Sequence, residues 1–327
     1  MKNNEFEYKN LLEIKKMSLE ELEKYYRALR SYEYDNNIEL KSNELKKRIY
    51  FLTKLILKID RLTTGRTLNI YGDKRSNNID KGKVYASSHV GRYDIESAME
   101  AINEQVYFVM GDPEETYRNF EGFFLEHIQG RICMDTGYQI ADIFKKVQDG
   151  IELTNEELAL YKEYKKDRHI CESVCTKRIS NKENILIYPE GAWNITSRMV
   201  QSLFKGAARI AINGNGVIVP IGIVRDKLNY TVNIGSEFDV SGAQASDAED
   251  ITNELKEKIS SLVGEIIFNE NKILKRNELG TPSQNEIDFI NDIMSESENG
   301  YTKEVIENTR YNDPLYPENV FKKIKAL

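Results

Sequence analysis

The chain has 327 residues and a mass of 37.9 kDa, with 40% apolar and 30% charged residues. These proportions and a mean hydropathy of −0.56 exclude a disordered chain and a protein with several membrane spans. The 53 acidic residues outnumber the 46 basic ones, and the net charge of −7 argues against a nucleic-acid-binding protein. The opening MKNNEFEYKN does not predict a signal peptide, and three cysteines without paired metal spacing favour a reducing cytoplasm and no metal.

Residues 1–64 are predicted to form a helical N-terminal region. Ser18 is a candidate cap for a helix with apolar residues at three- and four-residue steps. A second helix, 46–61, carries six basic residues and one acid, and its apolar stripe consists of Ile49, Leu52, Ile56 and Ile59. A basic amphipathic helix of this kind either docks on an anionic membrane surface or packs its stripe against the next domain.

Residues 65–270 are predicted to form an α/β domain, in which short β-type runs alternate with helical patterns. The predicted strands are 68–72, 83–88, 106–110, 131–134, 184–189, 216–224 and 229–235. Helices are predicted to begin near Asp94, Glu115, Tyr138, Thr154, Ser202 and Asp247. This alternation predicts a mixed, mostly parallel sheet flanked by helices. The charged stretch 152–183 is predicted to be an exposed helical insertion, and 271–327 a helical or irregular tail.

The segment SSHVGRYDIE, residues 87–96, is the first candidate for chemistry. It follows an apolar strand, so His89 is expected at the strand's end and Asp94 near the start of the next helix. A carboxylate beside an imidazole fixes its tautomer, and the other ring nitrogen can then take a proton. The pair is therefore either a general base with its orienting partner or a structural hydrogen bond.

Two further segments have candidate binding residues. In ILIYPEGAWN, residues 185–194, Glu190 and Gly191 lie in a turn after a strand. Lys205 precedes Gly206 at a predicted helix start, where an anion could bind. Pro220, within the next apolar run, predicts an edge strand, a bulge or close approach to a ligand.

In chain order, these segments resemble the successive blocks of the glycerolipid acyltransferase family, of the lysophosphatidate and glycerol-3-phosphate acyltransferase type. The blocks are His, four spacers and Asp in SSHVGRYDIE, the glycine-led strand in GRICMDTG, PEG in IYPEGAWN, then FKGAARIA and VIVPIGI. The resemblance covers about 83–225 and implies an O-acyltransferase that moves a fatty acyl group from acyl-CoA or acyl-ACP to an alcohol. Both donors are co-substrates, and no cofactor is expected.

The resemblance implies His89 as general base, Asp94 as its orienting partner, and Glu190, Gly191 and Gly130 as parts of the acceptor site. Two family arginines that grip acceptor phosphate are missing, because Thr136 and Trp193 stand in their places. The candidate substitutes are Arg92, Arg131, Lys205 and Arg198. Without them, the acceptor is expected to be a non-phosphorylated alcohol, a glycolipid or an amine-bearing lipid.

The expected protein is a 1-acylglycerol-3-phosphate O-acyltransferase-like enzyme of phospholipid biosynthesis. It is expected in the cytoplasm, peripheral at the inner face of the membrane, with a lysolipid or related alcohol as acceptor. Two alternatives stay open: a thioesterase or lipid hydrolase in which His89 activates water, and a non-catalytic lipid-binding homologue. The sequence leaves the acceptor's identity, the acyl chain length and the oligomeric state open.

Overall fold

A computed structural model describes eight stretches of the chain, residues 6–36, 44–72, 80–91, 93–111, 131–134, 141–191, 200–226 and 228–268. The predicted tail at 271–327 and the helix start near Glu115 lie outside these residues. The division of the chain at residues 64 and 270 stays a prediction.

The described part is built on one eight-stranded sheet. Its strands are β1 (Thr67–Tyr71), β2 (Lys83–Ser87), β3 (Val106–Gly111), β4 (Arg131–Met134), β5 (Asn184–Ile187), β6 (Val217–Asp226), β7 (Asn229–Ile234) and β8 (Phe238–Asp239). The order is β1-β7-β6-β2-β5-β3-β4, and β8 pairs with β6. Among the strand pairs of the described residues, only β6–β7 and β6–β8 are antiparallel. The predicted mixed, mostly parallel sheet is therefore confirmed.

All seven predicted strands are present. β2 is buried along its whole length, as expected for a parallel strand covered on both faces. Only β8 was not predicted, because two residues are too short to show a periodicity.

Pro220 lies inside the sheet, which excludes an edge strand among the three alternatives predicted for it. It is in register with Ala86 of the central strand β2. On the other side of β6, the partner changes from β8, opposite Ile218, to β7, opposite Ile221. Just beyond the end of β7, the backbone N–H of Gly235 donates to the carbonyl of Pro220 at 2.8 Å, so this side of Pro220 stays hydrogen-bonded without a proline N–H.

Helices cover both faces of this sheet. They are α1 (Leu11–Ile14), α2 (Leu19–Asp35), α3 (Glu44–Thr63), α4 (Asp94–Ala101), α5 (Ala141–Gln148), α6 (Asn155–Ser180), α7 (Gly206–Asn213) and α8 (Ala248–Phe268). One core cluster joins α4 to the sheet, and a second joins α6, α7 and α8 to the opposite face. The predicted cap Ser18 and the predicted helix start Thr154 both form capping boxes.

The prediction of an exposed insertion at 152–183 is wrong for the C-terminal half of α6. Ile170, Val174 and Ile179 are buried in the core against β2 and β5. Because α6 has many charged residues, its buried face was not recognised from the sequence. Part of that charge is itself buried, since Asp167 forms a 2.7 Å ion pair with Arg30 of α2.

Helix α3 is attached to α4 by its polar side. Tyr50 donates to the carbonyl of Ile102, Lys54 donates to Asn103, and Arg61 pairs with Glu100. The opposite side carries an exposed apolar stripe that shares three residues with the predicted one. It consists of Leu52, Leu55, Ile56, Ile59 and Leu62, whose exposures range from 38% to 64%. Packing of the stripe against the next domain is thus not what the structure shows. Within the described residues, no helix is both long and apolar enough to cross a membrane.

Candidate active site

His89 and Asp94 meet at the C-terminal edge of the sheet. β2 ends at Ser87, and the chain then turns so that Asp94 becomes the first residue of α4. Nδ1 of His89 lies 2.8 Å from Oδ2 of Asp94. The Asp94 side chain is 1% exposed and that of His89 15%. The carboxylate is therefore inside, and the imidazole borders the surface.

The loop between the two residues wraps around this carboxylate. The backbone N–H groups of Val90 and Gly91 donate to the same Oδ2, at 2.7 and 3.0 Å. A carboxylate can only accept, so in a neutral imidazole Nδ1 carries the proton and Nε2 is the nitrogen that can receive one. Chemically, such an arrangement can act as a general base with an orienting partner.

Glu190 connects this loop to the turn after β5. Its Oε1 accepts from the backbone N–H of His89 at 2.8 Å, and its Oε2 accepts from that of Gln201 at 3.0 Å. The residue is 0% exposed. Gly191 follows at φ 69°, in the left-handed region that favours glycine, and donates to the carbonyl of Tyr188. Both carboxylate oxygens thus bind main chain and determine where His89 leaves the sheet.

Tyr188 packs against the imidazole. The two ring centroids are 4.4 Å apart, and the ring planes are inclined by 34°. Tyr188 is 8% exposed and belongs to the core cluster beneath α4. The ring thus forms one wall of the position that His89 occupies.

The loop is also supported from β6. The Ser88 hydroxyl accepts from the backbone N–H of Ile223 at 2.8 Å. Gly91 has φ 120°, and an added Cβ would lie 2.7 Å from Nη1 of Arg225. The guanidinium of Arg225 therefore packs directly on the loop that connects His89 to Asp94.

Of the residues predicted to form the site, His89, Asp94, Glu190 and Gly191 come together here. Lys205 occupies the N-cap position of α7 without a side-chain capping hydrogen bond, and its Nζ pairs with Glu249 at 2.8 Å. Arg131 begins β4. The predicted residues Arg92, Gly130, Thr136, Trp193 and Arg198 lie outside the described residues. The substrate-binding roles of all these residues stay predictions.

Sequence reasoning missed Tyr188, Ser88 and Arg225. Tyr188 precedes PEG, and Arg225 follows the VPIGI run by two residues, so both lie beside predicted blocks. No local pattern marks them, because their contacts with the loop depend on the pairing of distant strands.

The two cysteines of α6 have no part in this site. Cys171 and Cys175 are buried, and a hydrogen bond with Cys175 together with burial raises the pKa of the Cys171 thiol. Such a thiol stays protonated at neutral pH and is a poor nucleophile. In the described stretches, no three His, Cys, Asp or Glu side chains cluster as metal ligands would.

Comparison with known proteins places these blocks in a family. Residues 67–224 match the family model described as Acyltransferase, a span that includes His89, Asp94 and Glu190. No curated protein matches the chain. Among solved structures, the chain is similar to the 1-acyl-sn-glycerophosphate (LPA) acyltransferase PlsC from Thermotoga maritima, at 13% identity and a TM-score of 0.49. That similarity covers 74% of this chain and 93% of the other.

Proposed function

We propose that the chain is an acyltransferase that moves a fatty acyl group from acyl-CoA or acyl-ACP to a hydroxyl of a glycerolipid-type acceptor, since residues 67–224 match the Acyltransferase family model. One observation carries the proposal. The imidazole of His89 is held through Nδ1 by a buried carboxylate, 2.8 Å away, at the end of a parallel strand. That is the edge at which open α/β sheets bind their substrates.

The reaction follows from this arrangement. Nε2 of His89 takes the proton of the acceptor hydroxyl, and the oxygen attacks the thioester carbonyl carbon. The tetrahedral intermediate collapses, the carbon–sulfur bond breaks, and the leaving thiolate takes the proton from the imidazolium. Asp94 stabilises that imidazolium and holds the ring. General-base catalysis of this kind contributes about 10²–10⁴-fold.

The acceptor is proposed to be a lysolipid or a related lipid alcohol. The family's two arginines for acceptor phosphate are replaced by Thr136 and Trp193. Fewer bidentate phosphate contacts favour a headgroup that is not held mainly through a phosphomonoester. A panel of lysolipids with phosphate, glycosyl and amine headgroups, assayed with the same acyl donor, identifies the preferred class.

A hydrolase is the alternative for the same dyad. The full chain is incubated with acyl-CoA, with acyl-ACP and with each lysolipid, and the acylated product and free fatty acid are measured by mass spectrometry. We expect product only with an acceptor, and its loss in His89→Ala. The control is His169→Ala, which changes a histidine of α6 outside this site. Free fatty acid without acylated lipid would instead indicate a thioesterase, and unchanged transfer in His89→Ala would exclude the base role.

We further propose that α3 docks the enzyme on the cytoplasmic face of a membrane. Its stripe is exposed although α3 is already packed on α4, and contiguous exposed apolar surface is unusual for a domain with no partner. Lys58, exposed beside the stripe, is available to contact anionic lipid headgroups. Docking would hold the enzyme at the membrane, where a poorly water-soluble lipid acceptor resides.

Vesicle flotation tests the docking. Leu55→Asn together with Ile59→Asn is expected to lower binding to vesicles of phosphatidylglycerol and phosphatidylcholine, because about 0.8 kcal/mol is lost for each CH₂ no longer buried. The matched control is Leu158→Asn with Leu160→Asn, which changes two exposed leucines of α6. Equal binding by both double variants would refute docking through α3.

A further inference from the structure

The N-terminal half of α6 extends beyond the C-terminal edge of the sheet, where the dyad lies. The last turn of α6 is at the opposite edge, since Ile179 lies against Gly82 and Gly216, the residues just before β2 and β6. From Ile179 back to Ile170, the helix covers about 13 Å of the core, which is about the length of four strand residues. Residues 162–169 therefore continue past the end of β5, on the side of the dyad.

This half of α6 has four cations that form no ion pair within the described part of the chain. The two acids of the segment 162–169 are already paired, Glu163 with Arg27 and Asp167 with Arg30 of α2. The segment thus carries an excess of positive charge on a protein whose net charge is −7. We name these cations the α6 basic face, which consists of Lys162, Lys165, Lys166 and Arg168.

Neutral groups hold these cations in place. Nζ of Lys166 donates to the Ser31 hydroxyl at 2.7 Å, and Nζ of Lys165 lies 4.7 Å from the centre of the Tyr161 ring. Such partners orient an ammonium group without neutralising it. The cations are three or four residues apart, as Lys162 and Lys166 are, and like charges at that spacing destabilise a helix. The stability of α6 therefore does not explain the α6 basic face.

The position of this face favours an acidic protein as its partner. It lies on the convex side of a helix, whereas small molecules such as CoA bind in concave sites. α6 and α3 pack on opposite faces of the sheet, so the α6 basic face points away from the stripe proposed to dock on the membrane. An acyl carrier protein is a small acidic protein that presents its thioester on a flexible arm, and complementary charge attracts and orients such a partner.

We propose that the α6 basic face is the docking surface for an acyl carrier protein, which makes acyl-ACP the donor of this enzyme. The arm of the docked carrier reaches over the C-terminal edge of the sheet and brings the thioester to His89. The acceptor oxygen attacks the thioester carbon, the carbon–sulfur bond breaks, and the carrier's thiolate takes the proton from the imidazolium. This inference rests on the proposed acyl transfer and adds the identity of the donor.

Lys162→Glu with Lys166→Glu tests the docking, because both lysines are exposed. With palmitoyl-ACP as donor, we expect the KM of the full chain to rise at least about tenfold, since reversed charges slow the steered association, while kcat stays close to that of the wild type. With palmitoyl-CoA and the same lysolipid, the rate is expected to stay unchanged. The wild-type KM for palmitoyl-ACP is expected to rise with salt, and that of the variant to rise much less.

Lys182→Glu with Lys258→Glu is the matched control, because it changes the net charge by the same amount. Lys182 lies just before β5, and Lys258 lies over the ring of Phe238 in β8, so both are at the edge of the sheet opposite the dyad. This variant is expected to keep the wild-type KM for palmitoyl-ACP. An equal rise of that KM in both double variants, or an equal loss of activity with palmitoyl-ACP and palmitoyl-CoA, overturns the docking.

Binding is measured separately from transfer, by the fluorescence anisotropy of a labelled acyl carrier protein without an acyl chain. We expect binding to Lys162→Glu with Lys166→Glu to be at least about tenfold weaker than to the wild type. If no donor gives acylated lipid, acyl transfer is refuted, and the anisotropy still decides the docking. Transfer from palmitoyl-CoA without any binding of the carrier refutes the docking and leaves acyl transfer in place. If the variant loses binding to phosphatidylglycerol vesicles and keeps the carrier, the face contacts a membrane and the docking is also refuted.

Discussion

Glu190→Gln distinguishes a side chain that holds the catalytic loop from one that binds the acceptor. The carboxylate accepts two main-chain hydrogen bonds, at 2.8 and 3.0 Å, and is 0% exposed. Glutamine retains one oxygen and presents an NH₂ group where the other stood. One backbone N–H, that of His89 or Gln201, then faces a donor and loses its charged acceptor.

The expected loss of stability follows from the single hydrogen bond that Glu190→Gln removes. A hydrogen bond to a charged group contributes about 1.5–3 kcal/mol, and no solvent is present at this position to replace it. We expect the free energy of unfolding, measured in urea, to fall by about 2–3 kcal/mol. We also expect kcat to fall at least about tenfold, because small displacements of a catalytic group are costly, while the acceptor KM changes little.

Glu249→Gln is the control for the chemical change itself. Glu249 is an exposed carboxylate that pairs with Lys205. Its substitution is expected to leave both unfolding and kcat unchanged. If Glu190→Gln unfolds like the wild type and raises the acceptor KM with kcat retained, Glu190 contacts the acceptor, as the family resemblance implies, and the loop-holding role is refuted.

Two further predictions concern the catalytic loop and acid stability. Gly91→Ala is expected to lower stability and kcat, because φ is 120° and the new Cβ would meet Arg225. The same change in an Arg225→Ala background keeps the backbone strain without the contact, and an equal fall in melting temperature in both backgrounds would exclude the contact. Lys146 and the Thr154 cap lower the pKa of Glu157 below 4.5, so its contribution is present above that pH and lost as the pH falls through the native pKa. Thermal melts at about pH 7 and about pH 3 are expected to differ less in Glu157→Gln than in the wild type, and an equal difference would contradict this.

The hydrogen bond between His89 and Asp94 could be predicted from sequence because it is local. His89 and Asp94 are five residues apart, and an apolar strand before them was enough to place both at one edge of the sheet. The hydrogen bond from His89 to Glu190 spans 101 residues. It exists because β2 and β5 pair in parallel, with Val84 opposite Ile185, and single-sequence periodicity contains no information on which strands are neighbours.

The orientation of α3 shows a second limit. Periodicity identified its apolar stripe, but it does not tell which side of an amphipathic helix meets the domain. The structure attaches the polar side, through Lys54 to Asn103 and Arg61 to Glu100. Those partners follow from the position of α4, which depends on the whole sheet. The stripe could therefore be predicted, and its exposure could not.

The hydrogen bond between Glu190 and His89 also joins two loops that lie far apart in the chain. It closes an excursion of 101 residues that contains β3, β4, α5 and α6. Doubling the length of such a loop costs only about 0.6 kcal/mol in closure entropy. The excursion is itself part of the fold, because β3 pairs with β5 and the C-terminal half of α6 packs in the core. The loop of His89 and the turn of Glu190 are therefore held together twice, once by the sheet and once by a direct hydrogen bond.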